Sequence, residues 1–479
     1  MIERRRFAWL PVGVVAAAVT VLLLVTANGY GYHRDELYFR MLGMHPQWGY
    51  VDQPPFTPLM ARAGIELFGD HVWAMRVPAA VLLGLAALMA AAIAREVGGG
   101  AVAQTLAASG ALSAVPLSGA HVSSTADTDL LVWLGVIFFV IRALLHDNPR
   151  AWLGAGLVTG LGLYNKHLVL LLLLCLGASL LLAGPRRVLL SPWLWAGVGL
   201  AVLIGLPNLI YQVANDFPQA KMAEAVAENK GDDSRTLLLP LQLVLLAVPP
   251  IWVAGIVTLL RDRELRRIRA LAVAYPMMVL LVFVIAGQPY YTMGLLYGLF
   301  AIGAVPTERW VRGHRTRQVF VGASVVILTA FGVVTALPLV PPKTFAGLNE
   351  TIADQVGWSE YVRQVAAVYA TLPPDEQRKA VLFTGNYGEA GALDRYGVGL
   401  PPVYSGQNEL HHYGPPPDDK TVAIVVFQAP PTVLGGTCEA RAALHNSEGV
   451  ENEELEAKVY VCHLAEPWHT LWPRVQHYD

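Results

Sequence analysis

The chain has 479 residues, of which 54% are hydrophobic and only 15% are charged, and its mean hydropathy is +0.45. This composition excludes a soluble globular protein of this length and indicates an integral membrane protein. The net charge of −2 gives no bulk basic character that would point to nucleic acid as a partner. Three cysteines are too few for a disulfide-dense scaffold.

Apolar runs predict the membrane-spanning helices, because a span needs about 20 apolar residues. The first run follows three arginines but lacks the small-residue cleavage site of a signal peptide, so we expect a retained first helix. Two of the later runs are short and flank the polar turn Tyr164-Asn-Lys-His167, which indicates half-length helices that dip to a polar pocket. Nine or ten spans would also fit, but eleven are predicted, at 8–28, 72–94, 101–120, 127–146, 151–165, 168–183, 192–212, 237–260, 269–286, 290–305 and 319–338.

The distribution of arginine and lysine predicts the orientation of these spans. Seventeen arginines fall in the predicted inner segments, against eight arginines and lysines in the longer outer loops. Because cytoplasmic loops carry the excess of positive charge, we expect a multi-pass protein of the cell membrane with a cytoplasmic N-terminus. An odd number of spans then places the C-terminal domain outside.

The composition changes at about Lys343 to that of a soluble domain. We therefore expect two domains, a transmembrane domain of residues 1–342 and an extracytoplasmic α/β domain of residues 343–479. Residues 346–370 are predicted to form one amphipathic helix. Three β-branched or apolar runs bounded by turn residues are predicted as strands: Ala380–Thr384, Thr421–Phe427 and Ala457–Cys462.

Two features of the outer segments have alternative interpretations. Cys438 and Cys462 can form a disulfide in an oxidising compartment or remain two free thiols. Residues 207–218 lead into the longest outer loop, whose polar tail, Glu224–Arg235, is interpreted as a mobile segment that gates the site or as a plain linker.

Three polar clusters interrupt the apolar runs on the predicted outer side. The first surrounds an adjacent acid pair, the second contains two acids at the start of the fourth span, and the third lies between the two short runs. All three map to one face, so we expect carboxylates and cations to converge at the membrane surface. Their members are Arg34, Asp35, Glu36, Asp52 and Gln53, then Asp127 and Asp129, then Lys166 and His167.

Each cluster also has a structural interpretation. One of Asp127 and Asp129 can cap a helix N-terminus, although a cap explains only one of them. Lys166 can extend to the interface from a short helix. Tyr290 and Tyr291 suit hydrogen bonding or stacking with a phosphate or sugar, or can form an ordinary interfacial aromatic belt.

The chemistry that would use acids and cations together is glycosyl transfer from a lipid phosphate to a hydroxyl group. A carboxylate serves as general base, because the acceptor alcohol loses its proton as it attacks. The phosphate leaving group needs no strong acid, and cations or a metal stabilise its charge instead. The clusters therefore predict a glycosyltransferase that acts on the outer face of the membrane.

Five motifs resemble those of the GT-C superfamily of membrane glycosyltransferases. They are similar to the bacterial branch that includes protein O-mannosyltransferases and lipid A aminoarabinose transferases, and the resemblance covers most of the chain. It implies the GT-C fold, a polyprenyl-phosphate sugar donor and inversion at the anomeric carbon, with a protein, lipid or cell-wall glycan supplying the hydroxyl acceptor. The motifs are Tyr32-His-Arg-Asp-Glu-Leu-Tyr38, Asp52-Gln-Pro-Pro55, Asp127-Thr-Asp129, Gly162-Leu-Tyr-Asn-Lys166 and Gly287-Gln-Pro-Tyr-Tyr291, and the soluble segment Thr384-Gly-Asn-Tyr-Gly-Glu-Ala-Gly-Ala-Leu-Asp-Arg-Tyr396 also resembles bacterial members.

The resemblance also implies roles for individual residues. Asp35 matches the proposed base, and the catalytic group is completed by its neighbour Glu36 and the two acids of the second cluster. Relatives carry a lysine where this chain has Gln53, so we expect Arg34 or Lys166 to bind the donor phosphate. The remaining donor-binding candidates are Gln53 itself, Asp52, which can also hold a divalent metal, and His167, Tyr290 and Tyr291.

The outer domain is expected to assist acceptor binding without a catalytic group, because its acids Glu389 and Asp394 are predicted to lie in a soluble helix away from the first cluster.

Two other functions would also fit parts of the sequence. A transporter or flippase of lipid-linked sugars would also place charges in a polytopic protein, but matched repeats are not evident. A non-catalytic cell-envelope assembly protein would leave the membrane carboxylates unexplained.

Overall fold

The computed structural model describes residues 3–452 and 457–479. In this part of the chain, fifteen α-helices precede the C-terminal domain, for which the name outer domain is kept as a label only. They are α1 (Trp9–Thr26), α2 (Arg34–Met44), α3 (Phe56–Phe68), α4 (Val72–Glu96), α5 (Ala101–Ser109), α6 (Ala114–His121), α7 (Thr125–Leu145), α8 (Ala151–Gly162), α9 (Val169–Ala183), α10 (Pro192–Ala214), α11 (Pro218–Gln242), α12 (Pro249–Arg261), α13 (Ala270–Val284), α14 (Met293–Val311) and α15 (Arg315–Ala336).

The helices confirm a polytopic membrane protein. Within the described residues, α1, α4, α7, α10 and α15 are each long and apolar enough to cross a membrane, and the pair α5 and α6, bent by 54°, adds a sixth if it forms one span. Four further apolar helices, α8, α9, α12 and α13, are shorter. The count of eleven spans therefore stays a prediction.

One predicted span is wrong, and the predicted loop before it contains a helix. Residues 237–260 do not form a single helix, because α11 ends at Gln242 and α12 begins at Pro249. Val248 has a positive φ of 60°, and it is followed by two prolines that cannot donate backbone hydrogen bonds, so the helix is interrupted. The polar tail Glu224–Arg235 lies within α11, a continuous helix of 25 residues.

The two half-length helices are confirmed. Helix α8 has 12 residues and α9 has 15, and Lys166 lies in the turn between them. Helix α8 packs very closely on α10: a Cβ atom at Gly156 would lie 2.1 Å from the carbonyl oxygen of Gly197. Small residues allow such close backbone contact between membrane helices, and this contact holds α8 against α10.

The outer domain contains a mixed five-stranded sheet, which confirms the α/β class. Its elements are α16 (Glu350–Ala353), α17 (Trp358–Ala370), α18 (Pro374–Lys379), β1 (Ala380–Thr384), α19 (Tyr387–Tyr396), β2 (Val403–Ser405), α20 (Asn408–His412), β3 (Val422–Phe427), β4 (Thr437–Ala443), β5 (Lys458–His463) and α21 (Trp468–Val475). The strand order is β2-β1-β3-β5-β4, with β1 parallel to β2 and β3, and β5 antiparallel to β3 and β4.

Three of the five strands agree with the sequence predictions. The predicted strands correspond to β1, β3 and β5, whereas the three-residue β2 and the exposed edge strand β4 were not predicted. The single helix predicted over 346–370 is wrong, because Gly357, with a φ of 96°, separates α16 from α17. Cys438 of β4 and Cys462 of β5 form a disulfide.

Helix α2 of the membrane region packs against the outer domain. Leu37 and Leu42 of α2 share an apolar core with Leu382 and Ile424, which point to one face of the sheet. The two tryptophans of α21 cover the opposite face. A Cβ atom at Gly391 of α19 would lie 2.7 Å from the Leu37 Cβ, so α19 lies directly on α2. The predicted acid pair at the start of α2 therefore lies where the two domains meet.

Candidate active site

The acid pair lies in the first turn of α2, which has a well-formed N-terminal cap. The His33 Nδ1 accepts a hydrogen bond from the Asp35 backbone N–H at 3.1 Å, and the Glu36 Oε2 accepts one from the His33 N–H at 2.8 Å. This reciprocal cap fixes the start of the helix and sends the two acids in different directions. The Asp35 side chain is 37% exposed, whereas Glu36 is completely buried.

Glu36 forms a buried ion pair with Arg76 of α4. The Arg76 Nε and Nη2 donate to the two carboxylate oxygens at 2.8 and 2.7 Å, and the Ser123 N–H donates to Oε1 at 2.9 Å. Arg76 is itself buried and also donates to the carbonyl oxygens of Ala27 and Gly31. Both oxygens of Glu36 are therefore occupied in a contact that joins α2, α4 and the segment before α7.

Asp35 contacts a tyrosine of the outer domain. The Tyr387 hydroxyl, at the start of α19, donates a hydrogen bond to the Asp35 Oδ1 at 2.8 Å. The Arg34 guanidinium lies over the Tyr387 ring, 5.0 Å from its centroid, and the same ring stacks on Tyr38 at 4.6 Å. The candidate base thus has a cation and a hydrogen-bond donor beside it.

The expectation that the outer-domain acids lie away from the first cluster is wrong. Asp394 of α19 forms an ion pair with Arg40 of α2. Arg40 also donates to Asp70 from its Nε and Nη2, and Arg395 donates to the Asp70 carbonyl oxygen at 2.7 Å. This network joins the outer domain to α2 and to the loop before α4. The other expected acid, Glu389, caps α19.

Asp52 and Gln53 lie in the loop between α2 and α3, under a second carboxylate of the outer domain. The Tyr38 hydroxyl donates to the Asp52 Oδ1 at 3.2 Å. Glu409 of α20 accepts hydrogen bonds from the Val51 N–H at 3.0 Å and the Gln47 Nε2 at 2.9 Å. Burial raises the pKa of Asp52 to about 7 and also raises the pKa of Glu409.

The buried Gln53 stands where relatives are expected to carry a lysine. Its Nε2 finds no hydrogen-bond partner among residues 3–452 and 457–479. A metal at Asp52 has little support from the surrounding residues, since no group of three or more His, Cys, Asp and Glu side chains in the described part of the chain could hold an ion.

The second cluster divides its two acids between two environments. Asp127 accepts a hydrogen bond from the Ser124 N–H at 3.2 Å in a capping box, so it caps the start of α7. Asp129 lies two residues further on and lines a small cavity of about 20 Å³ together with Lys166, Tyr290 and Tyr291. The capping interpretation therefore fits Asp127, and Asp129 is the acid that faces the lysine.

Lys166 and His167 of the third cluster each contact another part of the site. The Lys166 Nζ lies 5.4 and 5.1 Å from the ring centroids of Tyr290 and Tyr291, within the range of cation–π attraction. The His167 Nε2 is 2.9 Å from the Oδ1 of Asn208, whose amide donates to the Trp48 carbonyl oxygen. His167 thus helps to hold the loop that carries Asp52.

The three clusters meet, as the sequence predicted. Besides the contact of Glu36 with Ser123, the Thr57 hydroxyl donates to the Asn165 Oδ1 at 3.0 Å, and the Asn165 Nδ2 donates to the Thr125 carbonyl oxygen at 2.8 Å. These bonds connect the starts of α2, α3 and α7 with the Lys166 turn. Acids and cations from four separate segments therefore share one end of the helical bundle.

Two apolar cavities adjoin this end of the bundle. The first, called the site cavity, has a volume of about 500 Å³, and Gln47, Trp48, Thr128 and Tyr164 are among its lining residues. The second, called the long cavity, has a volume of about 960 Å³ and runs between α1, α4, α7 and α8. Val132 and Leu161 line both, so the cavities are neighbours along α7 and α8.

Three side chains of the site do not follow from the sequence predictions. Arg76 had a usable signal, because it is a charged residue within an apolar run and such residues usually have a buried partner. Tyr387 and Glu409 reach the site only through docking of the outer domain, more than 350 positions after their contacts in α2 and its following loop.

A family model and a curated protein each match part of the chain in sequence. The family model described as dolichyl-phosphate-mannose-protein mannosyltransferase matches residues 52–211. The lipopolysaccharide core galacturonosyltransferase RgtA of Rhizobium johnstonii is 29% identical over 225 residues, which are 45% of this chain and 44% of that protein. The chain thus spans less than half the length of this curated relative.

Solved structures show the same fold over nearly the whole chain. ArnT from Cupriavidus metallidurans in the apo state covers 95% of this chain and 98% of its own, with a TM-score of 0.60 and 15% identity. The structure of that protein bound to undecaprenyl phosphate covers 96% and 99%, with a TM-score of 0.59 and 16% identity. The membrane helices and the outer domain therefore both belong to the shared fold.

Proposed function

We propose that this chain, which has the fold of the GT-C membrane glycosyltransferases and matches members of that superfamily in sequence, transfers a sugar from a polyprenyl-phosphate donor to a hydroxyl acceptor. Transfer takes place on the outer face of the cell membrane. In this orientation the N-terminus is cytoplasmic and the C-terminal domain is extracytoplasmic. The arginine distribution and the disulfide of the outer domain support this orientation.

The main support for this proposal is the position of Asp35. A general base must reach the acceptor hydroxyl, and Asp35 is partly exposed while its neighbour Glu36 is buried with both oxygens occupied. In the reaction the acceptor O–H gives its proton to Asp35, and the oxygen bonds to the anomeric carbon on the face opposite the phosphate. The bond from that carbon to the phosphate oxygen breaks, and polyprenyl phosphate leaves with the electron pair.

The site cavity supports a donor that carries an isoprenoid chain. It is lined by part of the loop that follows α2, and the same loop carries Asp52 beside Tyr38. An isoprenoid chain that enters the site cavity extends toward Val132 and Leu161, where the long cavity begins, and its phosphate lies at the polar end of the bundle. The C. metallidurans structure shows that this fold accommodates undecaprenyl phosphate.

The cations of the site are assigned to the leaving phosphate. Lys166 takes the role of the lysine that is absent at Gln53, and Arg34 assists from the start of α2. Asp129 orients Lys166 from across the small cavity, while Tyr290 and Tyr291 form its walls. Preorganised positive charge of this kind stabilises the phosphate as negative charge develops on it.

The remaining residues hold the site in place. Tyr387 orients the Asp35 carboxylate through its hydrogen bond, so the outer domain supplies a positioning residue. Glu36 and Asp127 anchor the starts of α2 and α7, and His167 supports the loop of Asp52 through Asn208. The protein, lipid or cell-wall glycan that provides the acceptor hydroxyl would approach between this loop and α19.

The test is purified protein with labelled polyprenyl-phosphate sugars. We expect slow release of free sugar without an acceptor, and loss of that release in Asp35→Asn. Movement of intact donor across liposomes without bond cleavage would instead support a transporter and contradict the proposal.

A further inference from the structure

The long cavity ends at two arginines that the proposed reaction does not use. Arg6 precedes α1 and Arg95 lies in the last turn of α4, and both line the cavity. The lining of α4 extends from Leu85 to Arg95, which is about 15 Å along a helix. The arginines therefore lie at the opposite end of the cavity from its shared wall with the site cavity.

The segment that carries Arg6 is fixed in place. The buried Gln104 accepts a hydrogen bond from the Ala8 N–H at 2.8 Å and donates to the Arg6 carbonyl oxygen at 3.1 Å. The Arg95 Nε donates to the Arg5 carbonyl oxygen at 2.9 Å. These contacts hold the Arg6 backbone at the end of the cavity and bring Arg95 beside it.

Positive charge exceeds negative charge at this end of the cavity. Glu96 is buried and is the acid beside Arg95, 3.6 Å from its Nη1. The same carboxylate also lies 3.7 Å from the Arg4 Nη1 and 3.2 Å from the His146 Nε2, so it is shared among several basic side chains. Arg6 is exposed, and the indole of Trp9, with 73% of its surface exposed, is suited to the headgroup level of a bilayer.

We propose that the long cavity binds an anionic glycerophospholipid from the leaflet at the N-terminal end of α1. The phosphate lies between Arg6 and Arg95, and the acyl chains contact the apolar walls provided by residues such as Leu88 and Phe138. A donor lipid does not explain the arginines, because its phosphate belongs at the other end of the bundle and the far end of an isoprenoid chain is uncharged. This lipid site would exist whether or not the proposed sugar transfer is correct.

Native mass spectrometry of the purified full chain in detergent tests the proposal. Wild type is titrated with phosphatidylglycerol, with zwitterionic phosphatidylethanolamine and with undecaprenyl phosphate. We expect phosphatidylglycerol to bind more tightly than phosphatidylethanolamine. Each of Arg6→Ala and Arg95→Ala should weaken phosphatidylglycerol binding about fivefold, and both together about thirtyfold, as expected for single charges near an anionic headgroup.

Two further variants separate this site from general attraction of the basic surface. Arg315→Ala removes an exposed arginine at the start of α15, outside the cavity, and should leave the binding unchanged. Ala92→Phe places a phenyl ring among the apolar walls of the cavity while keeping both arginines, and should reduce the binding of phosphatidylglycerol. Equal effects of Arg6→Ala, Arg95→Ala and Arg315→Ala would overturn the proposal. So would arginine variants that lose undecaprenyl phosphate and keep phosphatidylglycerol, because the donor lipid would then be the occupant.

Discussion

The hydroxyl of Tyr387 gives a sharp test of the outer domain's part in the reaction. Tyr387→Phe removes one oxygen atom and leaves the ring stacked on Tyr38 and beneath Arg34. A hydrogen bond to a charged group contributes about 1.5–3 kcal/mol. Because the Asp35 side chain is 37% exposed, water replaces part of the lost contact, and we use the lower end of that range. The expected loss in kcat is then roughly tenfold.

The assay is steady-state transfer or hydrolysis with the donor varied to saturation. We expect kcat to fall while the KM for the donor changes little, since Tyr387 contacts the base and not the residues assigned to the phosphate. Tyr404→Phe in β2 is the matched control and should stay within about twofold of wild type. In an Asp35→Asn background, Tyr387→Phe should have no further effect. An unchanged kcat, or a raised donor KM alone, would refute the positioning role.

Four more substitutions test the assignments individually. Asp35→Asn should reduce transfer by about 10²–10⁴-fold at saturating donor, with donor affinity retained in a binding assay. Glu36→Gln leaves a buried arginine without its charge partner, so the free energy of unfolding in detergent should fall by about 3–5 kcal/mol, against under about 0.5 kcal/mol for the exposed Glu66→Gln. Lys166→Ala should weaken donor binding roughly tenfold or more, and Lys166→Arg should restore much of it. Burial raises the pKa of Asp52 to about 7, above the ~3.9 of an unfolded aspartate. The free energy of unfolding should therefore fall as the pH rises from about 4 to about 7. Asp52→Asn should reduce this pH dependence, measured as unfolding midpoints.

The membrane region was predictable where hydropathy and charge act locally. Long apolar runs gave the positions of helices such as α1, α4 and α7, and the polar turn around Lys166 indicated the two short helices. The run over 237–260 failed, because hydropathy averages across a break that Val248 and two prolines make in the backbone. A hydropathy average over about twenty residues does not detect the backbone geometry of a single residue.

The site was predictable as a set of segments but not as a set of contacts. Adjacent acids at a helix start point in different directions, so only one of Asp35 and Glu36 can face a given group. The buried partner of Glu36 required knowledge of how α2 and α4 pack. Tyr387 lies within a segment that resembles bacterial members of the superfamily, yet its contact with Asp35 depends on the docking of α19 against α2. Contacts across such distances in sequence arise from tertiary packing alone.

The construction of the outer sheet affects how neighbouring molecules behave when they are crowded in the plane of a membrane. A strand at the edge of a sheet can pair with the edge of another chain and so begin aggregation. Here β2 has three residues, and β4 contains an irregularity between Ala440 and Ala442, carries the charged side chains Glu439 and Arg441, and is tied to β5 by the disulfide. Both edges are thus poor templates for strand addition, and outer domains held at high local concentration on one surface can touch without joining their sheets.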